Sequence, residues 1–105
     1  MASGRLGNAD LAATTNTKVY TVPVGKVSTI NAGFVNRSSV QVKVRMAIAS
    51  TDVPTNAEYV EYDAPIPANG VLERSGIVCG ENEKIVCYAS STGISVRIHG
   101  FEEVV

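Results

Sequence analysis

The chain has 105 residues, of which 45% are hydrophobic and 18% are charged, and its formal net charge is −1. This length predicts one domain with a modest core, and the near-neutral charge gives no electrostatic reason to expect nucleic acid or an anionic membrane as a partner. No apolar run approaches the roughly 20 residues of a spanning helix, and the first ten residues lack the apolar segment of a secretion signal. We therefore expect a non-membrane protein that first folds in a cytoplasm.

Residues 1–10 predict a flexible arm, because they contain two glycines and an asparagine, with Arg5 and Leu6 as the only sizeable side chains. Two interpretations of this arm stay open. It is either a disordered terminus or a segment that becomes ordered against a neighbouring subunit. Residues 11–105 are expected to form a single β-sandwich domain that begins with a short edge strand at Leu11–Thr15.

The following segments show the alternation typical of strands, with turn residues between them. Strands are expected at Lys18–Val22, Val27–Asn36, Val40–Ala49, Glu58–Asp63, Val71–Cys79, Lys84–Ser90 and Ile94–Phe101. Gly33 is expected to mark a bulge, and residues 102–105 a tail. About eight short strands and no helical pattern predict an all-β protein. We expect an antiparallel β-sandwich, jelly-roll-like or immunoglobulin-like.

The clearest strand is Val40–Ala49, whose alternate positions share one apolar face. The apolar face carries Val40, Val42, Val44, Met46 and Ile48. Four of these five side chains are β-branched, which favours a strand over a helix. We expect the three central ones to be buried, and Lys43 and Arg45 on the opposite face to be at least partly exposed.

A weak repeat links two turns of the chain. Val22–Val27 and Ile66–Val71 both contain an apolar residue, a proline, a short linker, a glycine and the start of a new strand. About 44 residues separate the two segments, which is close to half of the domain. The repeat favours a jelly-roll-like sandwich with two related halves, although Pro-Gly turns are common between strands.

The two cysteines, Cys79 and Cys87, are expected to be free thiols. If the strands around the turn Gly80–Glu83 form a hairpin, the sulfurs are about three residues out of register, or roughly 10 Å along the ladder. A disulfide does not tolerate that separation. A metal site is not expected either, because no third ligand lies at a typical spacing.

The residues that could carry catalysis are better explained as structural. Glu61 and Asp63 share a strand face and could serve glycoside hydrolysis, but a chain this short has little material for a cleft. A solvated outer face is the simpler interpretation. His99 is the only histidine, and no nucleophile elbow, phosphate loop or dinucleotide motif occurs. We therefore expect no catalytic residues, no cofactor and no enzymatic activity.

Basic side chains offer the more interesting pattern. Lys43 and Arg45 share the polar face of one strand, and Arg97 and His99 share the polar face of the last. If both strands belong to one sheet, they form a basic face suited to an acidic protein surface; a solvated face balanced by nearby glutamates is the alternative. The candidate partner contacts are Arg5, Leu6, Lys43, Arg45, Arg97 and His99.

Several strand-and-turn segments carry a family resemblance. These segments are Tyr20–Lys26, Asn36–Ser39, Glu58–Asp63, Pro67–Val78, Val86–Ser90 and Ile94–Gly100. Together they resemble small virion structural proteins of tailed bacteriophages, especially those of cyanobacterial and other marine hosts. The resemblance extends from about Leu11 to Glu103.

The resemblance implies a non-enzymatic protein of the virion, assembled in the host cytoplasm. The expected function is that of a capsid decoration or cement protein, which binds the major capsid protein or another virion protein as a homotrimer. Two alternatives stay open. One is a tail or head fibre module that recognises host-surface glycans or protein, and the other is a neck or connector component.

Overall fold

The structure is a computed structural model that describes residues 3–105. Within these residues it contains eight strands and one single-turn 3-10 helix. The strands are β1 (Ser3–Asp10), β2 (Thr17–Thr21), β3 (Lys26–Asn36), β4 (Val42–Ala49), β5 (Tyr59–Ile66), β6 (Val71–Cys79), β7 (Lys84–Ala89) and β8 (Ile94–Val104), and the 3-10 helix is Asn56–Glu58. Over residues 3–105 there is no helix with the length and apolarity needed to cross a membrane.

The strands form two antiparallel sheets of four strands each, which confirms the predicted β-sandwich. Sheet I has the order β1-β8-β3-β6, and sheet II has the order β2-β7-β4-β5. The pairings are nested, since β1 pairs with β8, β2 with β7, β3 with β6 and β4 with β5. Such nesting is one long hairpin rolled into two layers, which is the jelly-roll arrangement and not the immunoglobulin one.

The core lies between the sheets and is built from the inward side chains of both. Its largest fully buried members include Ile30, Phe34, Ile94 and Ile98 from sheet I and Val42, Val44, Met46 and Ile85 from sheet II. Removing these apolar surfaces from water is the main force that holds the layers together. The predicted burial of the centre of β4 is confirmed. Lys43 on the opposite face is exposed, and Arg45 is partly exposed.

The first described residues form a strand and not a flexible arm. β1 pairs with β8 along its length, with Leu6 as an extra residue that interrupts the register. The arm prediction was wrong because strand pairing uses backbone groups, which a sequence poor in apolar side chains also supplies. The edge strand expected at Leu11–Thr15 is absent: β1 ends at Asp10, and Leu11 is a buried core residue. Met1 and Ala2 lie outside the described residues.

The two Pro-Gly segments form equivalent corners of the sandwich. Pro23–Lys26 connects β2 to β3, and Pro67–Gly70 connects β5 to β6, so each carries the chain from sheet II to sheet I. A backbone hydrogen bond closes the turn in both. The residues before the prolines, Val22 and Ile66, are fully buried. The repeat therefore marks two corners and not two four-stranded halves, because the corners are three strands apart.

Both cysteines are free and buried, as predicted. The reasoning behind that prediction was wrong, because β6 and β7 belong to different sheets and Gly80–Glu83 is a crossing between layers. Burial, with a smaller effect from Glu83, raises the pKa of Cys79 to about 11, and burial alone raises the pKa of Cys87 to about 12. Neither thiol is therefore a thiolate at neutral pH.

A buried polar link joins the two sheets near one end of the core. The Tyr20 hydroxyl of β2 lies 2.6 Å from the Ser28 hydroxyl of β3 and donates to Glu102 Oε2 of β8, also at 2.6 Å. Burial, reinforced by the bond to Glu102, raises the pKa of Tyr20 to about 12. The prediction of a tail at residues 102–105 was wrong, because β8 continues to Val104 and the Glu102 side chain is buried.

Candidate docking face

The outward side chains of sheet I form rows that run across β1, β8, β3 and β6. The register gives four such rows: Ser3, Phe101, Thr29 and Val78; Arg5, His99 and Asn31; Asn8, Arg97, Gly33 and Glu73; and Asp10, Ser95, Val35 and Val71. We call this surface the docking face. Side chains that lie opposite one another in a sheet are close enough to act on the same ligand.

The second row ends at a bulge on β6. Ile30 faces Ile77 and Ala32 faces Arg74, so two residues of β6, Ser75 and Gly76, lie opposite Asn31 alone. Gly76 has a φ of +69° and donates its N–H to Asn31 Oδ1 at 3.0 Å. A bulge was expected at Gly33 of β3. The observed bulge lies opposite Asn31, two residues from Gly33, and its extra residue belongs to β6.

A shallow groove of about 280 Å³ lies on the β1 side of the docking face. Gly33 forms its floor, and a Cβ built at this position would meet nothing within 4 Å. Its walls include Arg5, Asn8, Val35 and Arg97. We call it the arginine groove.

The arginines of the chain divide into two groups. Three form ion pairs inside the molecule: Arg37 with Asp10, Arg45 with Asp63, and Arg74 with Glu61. Arg5 and Arg97 form no ion pair with any residue in 3–105, and both are exposed. Both line the arginine groove. The two uncompensated guanidinium groups of the chain therefore lie together.

Apolar side chains lie at both ends of the docking face. Val35 and Val71 face each other in the fourth row and are 43% and 61% exposed. Phe101 and Val78 flank Thr29 in the first row and are 44% and 65% exposed. Interfaces between proteins are enriched in aromatic and arginine side chains relative to the rest of the protein surface. The composition of the docking face fits that description.

The structure separates the predicted partner contacts. Lys43 and Arg45 lie on the outer face of sheet II, whereas Arg97 and His99 lie on that of sheet I. The prediction of a single basic face was therefore wrong. Alternation assigns a residue to one face of its own strand, but it does not reveal which sheet that strand joins. Arg5 lies opposite His99 on the docking face, an association the sequence did not reveal.

Two of these residues are not simple surface contacts. Leu6 is half-buried and packs against the core, and its assignment as a partner contact stays a prediction. His99 is half-buried between Arg5 and Asn31. Its Nδ1 is buried and has no hydrogen-bond partner within residues 3–105.

The outer face of sheet II carries a cluster of side chains in which an arginine is paired and stacked within the molecule. The Arg45 guanidinium lies 4.2 Å from the ring centre of Tyr62 and 4.5 Å from that of Tyr88, and its Nε donates to Asp63 Oδ1 at 2.7 Å. This hydrogen bond raises the pKa of Arg45 and lowers the pKa of Asp63. Tyr59 packs edge-on against Tyr62, with ring centres 4.9 Å apart. We call these five residues the tyrosine–arginine cluster.

Bulges on β5 explain why alternation did not predict this cluster. Alternation places Tyr59 and Tyr62 on opposite faces. Met46 faces Glu61 and Ala47 faces Tyr59, however, so Val60 is an extra residue of β5 between the two tyrosines. A second extra residue of β5 lies between Val44 and Met46, where Asp63 adopts a φ of +52°. Aspartate tolerates that left-handed conformation better than most residues. The change of phase brings both rings to the outer surface of sheet II.

The segment 50–58 crosses the other end of the outer face of sheet II. Its Asp52 forms an ion pair with Lys18 of β2 at 3.5 Å, and Lys84 of β7 donates to the Ser50 carbonyl oxygen at 3.5 Å. Beneath it lie outward positions of β4 and β7 that are nevertheless buried. These positions are Ala47, Ala49 and Val86. Most of this face is therefore occupied by the chain itself.

The docking face combines charge that is not paired within the described residues with exposed apolar area. The uncompensated charges of Arg5 and Arg97 can attract an anionic group, and the valines and Phe101 can bury apolar area. Within residues 3–105 no group of three or more side chains is arranged to hold a metal ion. No protein-family model and no curated protein matches the chain.

Proposed function

We propose that the chain is a non-enzymatic structural protein of a tailed-phage particle and that it binds another virion protein through the docking face. One observation carries the proposal: the two arginines without an internal carboxylate lie together on a face whose ends expose Val35, Val71 and Phe101. In its most specific form, the proposal is a capsid decoration or cement protein on the major capsid protein.

The fold and the resemblance support this proposal without deciding it. Eight-stranded jelly rolls are frequent in viral capsid domains, but they also occur in lectins and cupins. A fold alone does not determine function. The strand-and-turn resemblance to virion proteins adds a second, independent reason. Two buried free thiols suit a particle assembled in a reducing host cytoplasm.

A homotrimer is the oligomeric state we propose for the particle-bound protein. Three-fold positions are abundant on icosahedral shells, and a closed cyclic oligomer fits such a position. Several modest interfaces acting together would then give stable attachment. Light scattering of the purified protein tests this state, and a monomer at all concentrations would contradict it.

A host-recognition module of a tail or head fibre is the second candidate. The tyrosine–arginine cluster favours it, because Tyr62 is 58% exposed beside two further tyrosines. Quantitative mass spectrometry of purified particles separates the candidates. A decoration protein is present in on the order of hundreds of copies, whereas a fibre or neck component is present in about a dozen. Absence of the chain from particles would contradict both.

A further inference from the structure

We propose that the arginine groove receives the carboxylate of an aspartate or glutamate side chain of the partner protein. The apolar neighbour of that side chain then packs on Val35 and Val71. This inference rests on the proposed docking function and names the chemistry of the partner at one site.

The register places the two arginines so that both can reach one carboxylate. Arg97 lies opposite Asn8, and Arg5 lies opposite His99, so the two arginines are diagonal neighbours on one face. Diagonal positions on adjacent strands are about 7–8 Å apart, which is within the reach of two long side chains. A carboxylate has two oxygens that accept hydrogen bonds from guanidinium groups in a paired geometry.

The surroundings leave these arginines available to a ligand. Asp10 lines the groove but is bound by Arg37, with 2.5 Å between Arg37 Nη2 and Asp10 Oδ1. Glu73 lies in the same row as Arg97 but on the far side of β3, and it forms no ion pair with Arg97. The groove therefore holds two positive charges that the chain itself does not neutralise within residues 3–105.

Gly33 is the second independent observation. A glycine inside a strand is unfavourable compared with residues that bear side chains, so it needs a local reason. The backbone gives none, since the φ of Gly33 is not positive and a Cβ would meet nothing. The open space over Gly33, which lies directly opposite Arg97, is explained if a partner side chain enters there, because close approach of a ligand is a known reason for glycine in a strand.

The charge pattern favours a protein side chain over a nucleic acid. Asp10 lines the groove, and Glu73 lies in the same row as Arg97 on the outer face of sheet I. They would repel the repeated phosphates of a polyanion, whose binding depends on many positive charges. A single carboxylate needs only the two arginines, and the Asp10 carboxylate beside them is already paired with Arg37.

The test is an NMR titration of the isotope-labelled chain with two blocked peptides, acetyl-Val-Glu-Val-amide and its glutamine counterpart. We expect the glutamate peptide to shift the amide signals of Asn8, Gly33 and Arg97, and the glutamine peptide to leave them unchanged. Arg97→Ala should weaken binding about tenfold or more, as should Gly33→Val, which fills the groove without changing charge. Lys43→Ala, which removes a charge from sheet II, is the matched control.

Three results would overturn the inference: equal shifts with both peptides, no shifts up to about 10 mM peptide, or stronger binding of a short oligothymidylate than of the glutamate peptide. Valine is a good strand residue, so Gly33→Val should fold, and a thermal melt verifies this. If it does not fold, Arg97→Ala alone decides. If the peptide does not bind but the protein is found in particles, only this inference is contradicted. If the peptide binds but the protein is absent from particles, only the proposed virion function is contradicted.

Discussion

The outer faces of the two sheets carry similar side chains, but the two faces differ in whether their arginines find partners within the molecule. On sheet II, the guanidinium of Arg45 lies between two tyrosine rings and is paired with Asp63. On sheet I, Arg5 and Arg97 have no carboxylate partner within the described chain and line an open groove together with Gly33. The arginine of sheet II is therefore paired and stacked within the molecule, whereas sheet I leaves the charges of Arg5 and Arg97 and part of its apolar area uncovered.

This difference shows how to distinguish a stabilising cluster from a surface available to a partner. A charged side chain that is stacked and paired within the molecule contributes to folding. A charged side chain without an internal partner contributes little to folding, so its role is sought in binding. The same contrast applies to the glycines of sheet I, because some are required by the fold and one is not.

The largest expected effect distinguishes two glycines of sheet I. Gly100 has a φ of +149°, and a Cβ there would lie 2.0 Å from the Thr29 carbonyl oxygen, whereas a Cβ at Gly33 would meet nothing. Gly100→Ala should lower the free energy of unfolding by roughly 2–4 kcal/mol, through strain and a backbone clash. Gly33→Ala should leave it unchanged or raise it by up to about 1 kcal/mol.

Urea unfolding of both alanine variants measures this contrast. The wild-type protein, measured in parallel, is the reference. Equal destabilisation by the two substitutions would mean that Gly33 is also a structural requirement of β3, and the argument for a ligand at the groove floor would be lost.

The next effect compares one arginine from each face. Arg45→Ala removes two cation–π contacts and should lower the free energy of unfolding by about 1–2 kcal/mol, with a small addition from the exposed ion pair. Arg97→Ala removes no internal partner and should change it by less than about 0.5 kcal/mol. Thermal unfolding of the two variants provides the measurement. A larger loss for Arg97→Ala would show that the docking face stabilises the fold.

The last effect concerns the link between the sheets, is absent at neutral pH and appears only at alkaline pH. The pKa of Tyr20 is raised to about 12, above its unfolded value near 10. The stabilisation from neutral Tyr20 is therefore complete below pH 10 and is lost as the pH rises from about 10 to 12. Ultraviolet titration should show one tyrosine ionising near 12, and Tyr20→Phe should remove that step. Absence of an ionisation step near pH 12 would contradict the buried link.

The alternation of apolar and polar residues correctly predicted which side chains of a regular strand are buried. Val42, Val44 and Met46 are buried because period two decides the face of a regular strand. The same rule failed at Tyr59 and Tyr62, because a bulge in β5 inserts a residue that alternation does not register.

Properties that depend on pairing between distant strands could not be predicted. The partnership of Arg5 with Arg97 and His99 arises because β1 pairs with β8, at the opposite end of the chain. Glu102 looked like a tail residue, because its burial depends on Tyr20, which lies 82 positions earlier. A glycine inside a predicted strand, such as Gly33, gives a signal in the sequence, but its meaning requires the neighbouring strands.

The most direct test of the docking face is rebinding to particles stripped of the protein. Two variants with the same change of charge are compared: Arg97→Glu on sheet I and Lys43→Glu on sheet II, both at exposed positions. The account predicts that the wild type and Lys43→Glu rebind and that Arg97→Glu does not, because the reversed charge repels the partner. Rebinding of Arg97→Glu together with loss of rebinding by Lys43→Glu would contradict the account and assign docking to sheet II.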